Sequence, residues 1–62
     1  MNIERIKQAV EDKGISITKL TEEIGVNRKT WYKWMNGKTQ PTYKNAVKLC
    51  KALNIDMRDI ED

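Results

Sequence analysis

Glycine and asparagine divide this chain into short stretches, and within each stretch the apolar residues recur at three- and four-residue steps. Gly14, Gly25, the pair Asn36-Gly37 and Asn54 are the punctuation marks. Residues of these two types tolerate the left-handed backbone that ends a helix. No stretch alternates apolar and polar residues as a half-buried strand would. The spacing therefore predicts an all-α fold of several short helices packed on one core.

The capping residues set the boundaries. Asn2 caps a first helix, with Glu4 in its first turn and Ile3, Ile6, Ala9 and Val10 on one stripe; Gly14 stops it after Lys13. Ser16 caps a second, whose face is Ile17, Leu20, Thr21 and Ile24. Lys19 stands where a capping box would have Glu, and Gly25 stops this helix after about two turns. Val26 is the apolar residue of the turn, and Asn27 caps a third helix from Arg28 to Met35 that ends at Asn36-Gly37. Lys38 to Pro41 form a loop. Thr42 caps a fourth helix, Tyr43 to Leu53, with Tyr43, Ala46, Val47, Leu49, Cys50 and Leu53 as its apolar positions and Asn54 as its stop. Asp56 caps a last helix from Met57 to Ile60, with Asp59 in a box-like position. The expectation is five short helices in a single domain over residues 1–62.

Composition limits the chemistry. The 62 residues include no Phe, two Trp and two Tyr, so each large side chain matters to a core that buries about 60% of the unfolded surface. One Cys excludes an internal disulfide, and the absence of His leaves no metal-ligand pattern, so no metal or cofactor is expected. No nucleophile–base constellation points to an enzyme, and nothing suggests a small-molecule ligand. No apolar run approaches the roughly 20 residues that cross a bilayer. The first four residues already carry a charge and no apolar signal region follows. The expected location is cytoplasmic, with a reduced thiol.

Charge is unevenly spread. None of the nine acidic residues lies between Gly25 and Ile55, a window that holds Arg28, Lys29, Lys33, Lys38, Lys44, Lys48 and Lys51. That window carries +7 and the rest of the chain −4, within a net charge of +3. A basic centre between acidic ends fits nucleic acid, and also fits a helical protein with an uneven solvated surface.

The stretch NRKTWYKWMNGK, residues 27–38, interleaves basic and aromatic residues. It reads either as a platform for stacking single-stranded bases or as one helix with two faces. Helical phase separates the faces. With Arg28 at 0° and about 100° per residue, Arg28, Lys29, Tyr32 and Lys33 centre near about 70°, and Trp31 and Trp34 near about 270°. A stacking platform needs aromatics and charges on the same side; here the Trp pair belongs to the core. Each Trp buries roughly 200 Å². The remaining face, on a short helix preceded by a two-turn helix and a glycine turn, has the layout of a helix-turn-helix whose second helix enters the major groove of duplex DNA. Arg and Lys donate to guanine O6 and N7, and Tyr touches a phosphate or a thymine methyl. The same face is also compatible with a solvated surface on a generic bundle.

Four segments together, DKGIS (12–16), L-x-x-x-I-G-V (20–26), NGK-x-x-P (36–41) and AVKLCKALNID (46–56), carry a resemblance to the phage repressor/Cro-type, XRE-like helix-turn-helix family. It spans about residues 3 to 60. The resemblance implies a five-helix, lambda-repressor-like domain that binds operator DNA, often as a two-fold dimer. It implies that Arg28, Lys29 and Lys33, with Tyr32 on the same face, read bases. It further implies that Asn27, Asn36, Lys38, Thr39 and Lys44 meet the DNA backbone. The chain departs from the family pattern in three ways. The first residue of the second helix, often Gln in the family, is Ile17, which leaves a backbone contact to Thr18 or Lys19. An ion pair found in some members is replaced by Val10 and Met35, and exchanging both partners for apolar groups need not destabilise. Thr21 and Trp31 stand where a smaller pair is usual. The C-terminal Ile55, Met57 and Ile60 serve either the monomer core or, as in the family, a homodimer seam. Cys50 lies on an apolar stripe and is expected in the core. Asp56 and Asp59 are read as caps. The expected function is a sequence-specific transcriptional regulator, a Cro- or repressor-like protein acting by operator occlusion. The alternative on the same fold is a protein-interaction module, such as an antitoxin-like subunit or a partner of another regulator. A single-strand or RNA-binding module is a third reading.

Overall fold

The computed structural model describes residues 1–61. Its elements are α1 (Ile3–Lys13), α2 (Ile17–Ile24), α3 (Arg28–Met35), α4 (Tyr43–Leu53) and a 3₁₀ turn, Met57–Asp59. No strand occurs among the described residues.

Each helix begins on the side chain that its sequence offers. Asn2 accepts from the Arg5 N–H (3.0 Å), Ser16 from Lys19 (3.1 Å), Asn27 from Thr30 (3.2 Å) and Thr42 from Asn45 (3.2 Å). Such a cap stabilises its helix by about 1 kcal/mol. The far ends are closed by left-handed residues. After α2, α3 and α4 the chain makes the paired reversal that satisfies the last carbonyls. Val26 N–H donates to Thr21 O, Lys38 to Lys33 O and Ile55 to Cys50 O, at 2.9–3.1 Å, around Gly25, Gly37 and Asn54.

The fifth element is tighter than the α-helix expected over Met57–Ile60. After the Asp56 cap the turn is closed by i→i+3 bonds, Asp59 N–H to Asp56 O (3.0 Å) and Ile60 N–H to Met57 O (3.1 Å), and a single i→i+4 bond follows, Glu61 N–H to Met57 O (3.1 Å). The Asp56/Asp59 capping box is present in full.

The core draws on all four helices and on Ile60, which follows the 3₁₀ turn. Ile6 and Ala9 come from α1, Leu20 and Ile24 from α2, Trp31 and Trp34 from α3. Ala46, Leu49, Cys50 and Leu53 come from α4, and Ile60 closes the end. α4 is the hub, packing on α1, α2 and the 3₁₀ turn, while α2 also packs on α3. Fully burying one such aliphatic side chain contributes about 1.5–3 kcal/mol. Thr21 is the one buried polar residue among those described; its hydroxyl donates to the carbonyls of Ile17 (2.9 Å) and Thr18 (3.0 Å), so nothing is left unpaired. Both Val10 and Met35 are half-buried against this core. The Asn2 N–H donates to Ile60 O at 2.8 Å and ties the first helix to the end of the chain. The radius of gyration, 10.3 Å, equals that of a close-packed chain of this length, about 10.6 Å.

One expectation is corrected, and one alternative is decided. Tyr43, counted among the apolar positions of the fourth helix, is 77% exposed. It lies about 70° from the centre of the stripe formed by Ala46, Leu49, Cys50 and Leu53, in the first turn, where no neighbour covers it. Ile60, read with Ile55 and Met57 as serving either the monomer core or a dimer seam, is 1% exposed within the single chain. It is already spent on the monomer core, and only Ile55 and Met57 remain half-buried.

Candidate nucleic-acid interface

The local sequence explains how α3 comes to show its basic side. Asn27 starts the helix and Gly37 reverses it, so the helix is eight residues long, about 12 Å. Trp31 and Trp34 are each 3% exposed and meet edge to face, with ring centroids 6.3 Å apart and planes at 65°. That geometry is the favourable one for two aromatic rings. It fixes the rotation of α3 about its axis, because both indoles must point inward. Arg28, Lys29, Tyr32 and Lys33 then point outward: all four are exposed, Tyr32 at 53%. The two-faced helix describes this stretch, and the stacking platform does not.

The other candidate residues fall around this helix in different degrees. Lys38 and Thr39 both donate backbone N–H groups to Lys33 O, at 2.9 and 3.4 Å. The loop is thereby folded onto the end of α3, and its exposed side chains continue the basic face. Asn36 is exposed at the same turn and makes no side-chain hydrogen bond. Asn27, at the opposite end, uses its Oδ1 for the cap, which leaves its amide N–H groups as donors. Thr18 on α2 and Lys44 on α4 are exposed and sit on helices that pack directly against each other. Tyr43 adds an exposed aromatic beside Lys44 where the apolar pattern had pointed to the core; its phase off the apolar stripe was the signal available.

The electrostatics favour an anionic partner. Ion pairs join Arg5 to Asp59 and Lys7 to Glu4, both at 3.8 Å, on α1 and the 3₁₀ turn. None of Arg28, Lys29, Lys33, Lys38 or Lys44 is in an ion pair among the described residues. Their charges are uncommitted, and no carboxylate occurs anywhere in that part of the chain. The single cysteine lies away from α3, on α4. Burial, with smaller contributions from Asp56 and Asp59, pushes the Cys50 thiol up, and its Sγ is 3.5 Å from the Met57 sulfur. That is an unreactive, packed thiol. Among the described residues no cluster of His, Cys, Asp and Glu could hold a metal ion, and no helix is long and apolar enough to cross a membrane.

A model of the helix-turn-helix family matches residues 6–60 of this chain. No curated protein and no solved structure matches it significantly.

Proposed function

Because the chain belongs to the Cro/C1-type, XRE-like helix-turn-helix family, whose members are DNA-binding regulatory domains, we propose that it is a sequence-specific transcriptional repressor that occludes its operator. The observation that carries the reading is the division of α3. Two buried Trp hold one side, and four exposed residues, Arg28, Lys29, Tyr32 and Lys33, occupy the other in a segment without a single acid. An α-helix with its side chains is about 10–12 Å across, which suits a major groove about 12 Å wide. Arg28, Lys29 and Lys33 read base edges, with Tyr32 beside them. Asn27, Asn36, Lys38, Thr39, Lys44 and Thr18 grip the backbone and set the register. No catalysis is required, because occupancy of the operator is the whole mechanism. The domain spans residues 1–62 as one unit. Two copies on a two-fold operator place their α3 helices about 34 Å apart, facing successive major grooves. Ile55 and Met57 are the apolar residues left to support such a pair.

A salt titration with duplex DNA tests the reading. Log K should fall with log salt by about 0.9 per phosphate neutralised. A flat response overturns DNA binding and favours the protein-interaction module, for which exposed Tyr32 and half-buried Ile17 would supply the apolar contact. Selection from random duplexes should return a palindrome; a consensus without two-fold symmetry refutes the dimer.

A further inference from the structure

We propose that Asn36-Gly37 is a spontaneous deamidation site, through which the chain converts the neutral turn of its own DNA-facing surface into an acidic one. The consequence for binding rests on the function proposed above; the chemistry does not.

Five asparagines occur in the chain, and their surroundings differ. The side chains of Asn2 and Asn27 are held as helix caps. Asn45 lies within α4 and precedes Ala46, and Asn54 precedes the β-branched Ile55. Asn36 alone precedes a glycine, and it is exposed with no side-chain hydrogen bond. Glycine has no Cβ to hinder its amide nitrogen. It cannot easily be exchanged here, because Gly37 has φ +74° and the reversal that ends α3 depends on it. The reactive pair is therefore built into the way this helix stops.

The reaction needs only water. The Gly37 backbone nitrogen gives its proton to hydroxide and attacks the Asn36 side-chain carbon Cγ. The new C–N bond closes a five-membered succinimide, the amide nitrogen Nδ2 takes a proton from water and restores the hydroxide, the Cγ–Nδ2 bond breaks, and ammonia leaves. Water then opens either ring carbonyl, giving aspartate or isoaspartate at position 36. The folded turn restrains the first step. Gly37 N–H donates to Trp34 O at 3.1 Å, and Asn36 has ψ 0°, which aims that nitrogen away from Cγ. The reaction runs through opening of the cap, so its rate follows local opening rather than global unfolding. Bound DNA, lying over the same turn, should hold the cap shut.

The product places one negative charge next to Lys33 and Lys38 in a window that otherwise contains no acid. Against a phosphate about 5 Å away in water, that charge weakens binding by roughly fourfold.

The test ages the intact protein in mildly alkaline buffer and follows charge and mass, with peptide mapping to position 36. The full chain should gain one negative charge there, more slowly than the same chain in urea, and more slowly again with saturating duplex DNA. Asn36→Gln should gain none on that timescale. The separated aged fraction should bind duplex several-fold more weakly than fresh protein. Absence of conversion at position 36 in the folded chain, while the urea-treated chain converts, overturns the site. Conversion that DNA does not slow, or an aged fraction that binds as well as fresh, overturns its place on the interface. If fresh protein binds no duplex, the function fails while the charge and mass readout still decides the chemistry.

Discussion

Replacing Trp31 by Ala separates the core reading of the aromatic residues from the stacking reading. Trp31 is 3% exposed and in edge-to-face contact with Trp34 at 6.3 Å. Truncating a buried Trp costs about 3–5 kcal/mol, and about 0.5–1.5 kcal/mol of coupling with the partner ring disappears as well. At about 0.05–0.15 kcal/mol per residue, a domain of this length has roughly 3–9 kcal/mol in total. The substitution removes between about a third and all of it. With a urea slope of about 1 kcal/mol per M for a small domain, the midpoint should fall by about 3 M, or the chain should be unfolded without denaturant. Urea melts followed by far-ultraviolet circular dichroism read this directly. Trp31→Leu, which retains an apolar side chain, should stay folded with a smaller loss and keep duplex affinity. A Trp31→Ala variant with wild-type stability and no remaining affinity for single-stranded oligonucleotide would refute the reasoning, because a side chain that stacks on bases contributes little to the fold.

Three further outcomes follow from the same geometry. Lys29→Ala or Lys33→Ala should relax base preference in selection from random duplexes by about 1–3 kcal/mol for each base no longer read, whereas Lys38→Ala should weaken all sequences alike and lower the salt slope by about one; the reverse pattern would show that the faces were misassigned. Gly37→Ala should cost about 1–2 kcal/mol in urea denaturation, wholly from the left-handed backbone, since an added Cβ would meet nothing within 4 Å. Burial raises the Cys50 thiol pKa, so the folded state keeps a proton that the unfolded chain releases. Stability from this group is intact below the free-thiol pKa and is lost as pH rises above it; Cys50→Ala should show a smaller alkaline decline in stability measured against pH.

Much of the fold was legible because its boundaries are local. Asn2, Ser16, Asn27 and Thr42 are short polar residues placed one step before an apolar stripe, and Gly14, Gly25, Gly37 and Asn54 sit where a left-handed residue must. Neither signal depends on what the helix packs against. The two faces of α3 were legible for the same reason, since helical phase alone puts Trp31 and Trp34 opposite Lys29 and Tyr32. What sequence could not supply was the reach of neighbouring elements. Tyr43 is on the flank of its stripe, and whether a flank is covered depends on how far the next helix extends. Ile60 looked equally suited to a core and to a dimer seam until the chain end was seen bonded to Asn2. The last element is a single 3₁₀ turn between the Asp56/Asp59 box and Ile60, whose carbonyl is held by Asn2. The family match covers residues 6–60, and the side chains that would meet DNA are exposed, but which atoms meet which bases is a property of a complex.

The bond from Asn2 to Ile60 makes the domain a ring in all but covalent connection, with the two ends of the helical path lying side by side. A short linker joining those ends, with a new opening at the exposed Gly14 turn, would give a circularly permuted chain that contains the same helices, the same core and the same basic face. In that rearrangement α1 would come last rather than first. The order in which the helices are synthesised would change, while the surface that α3 presents would not.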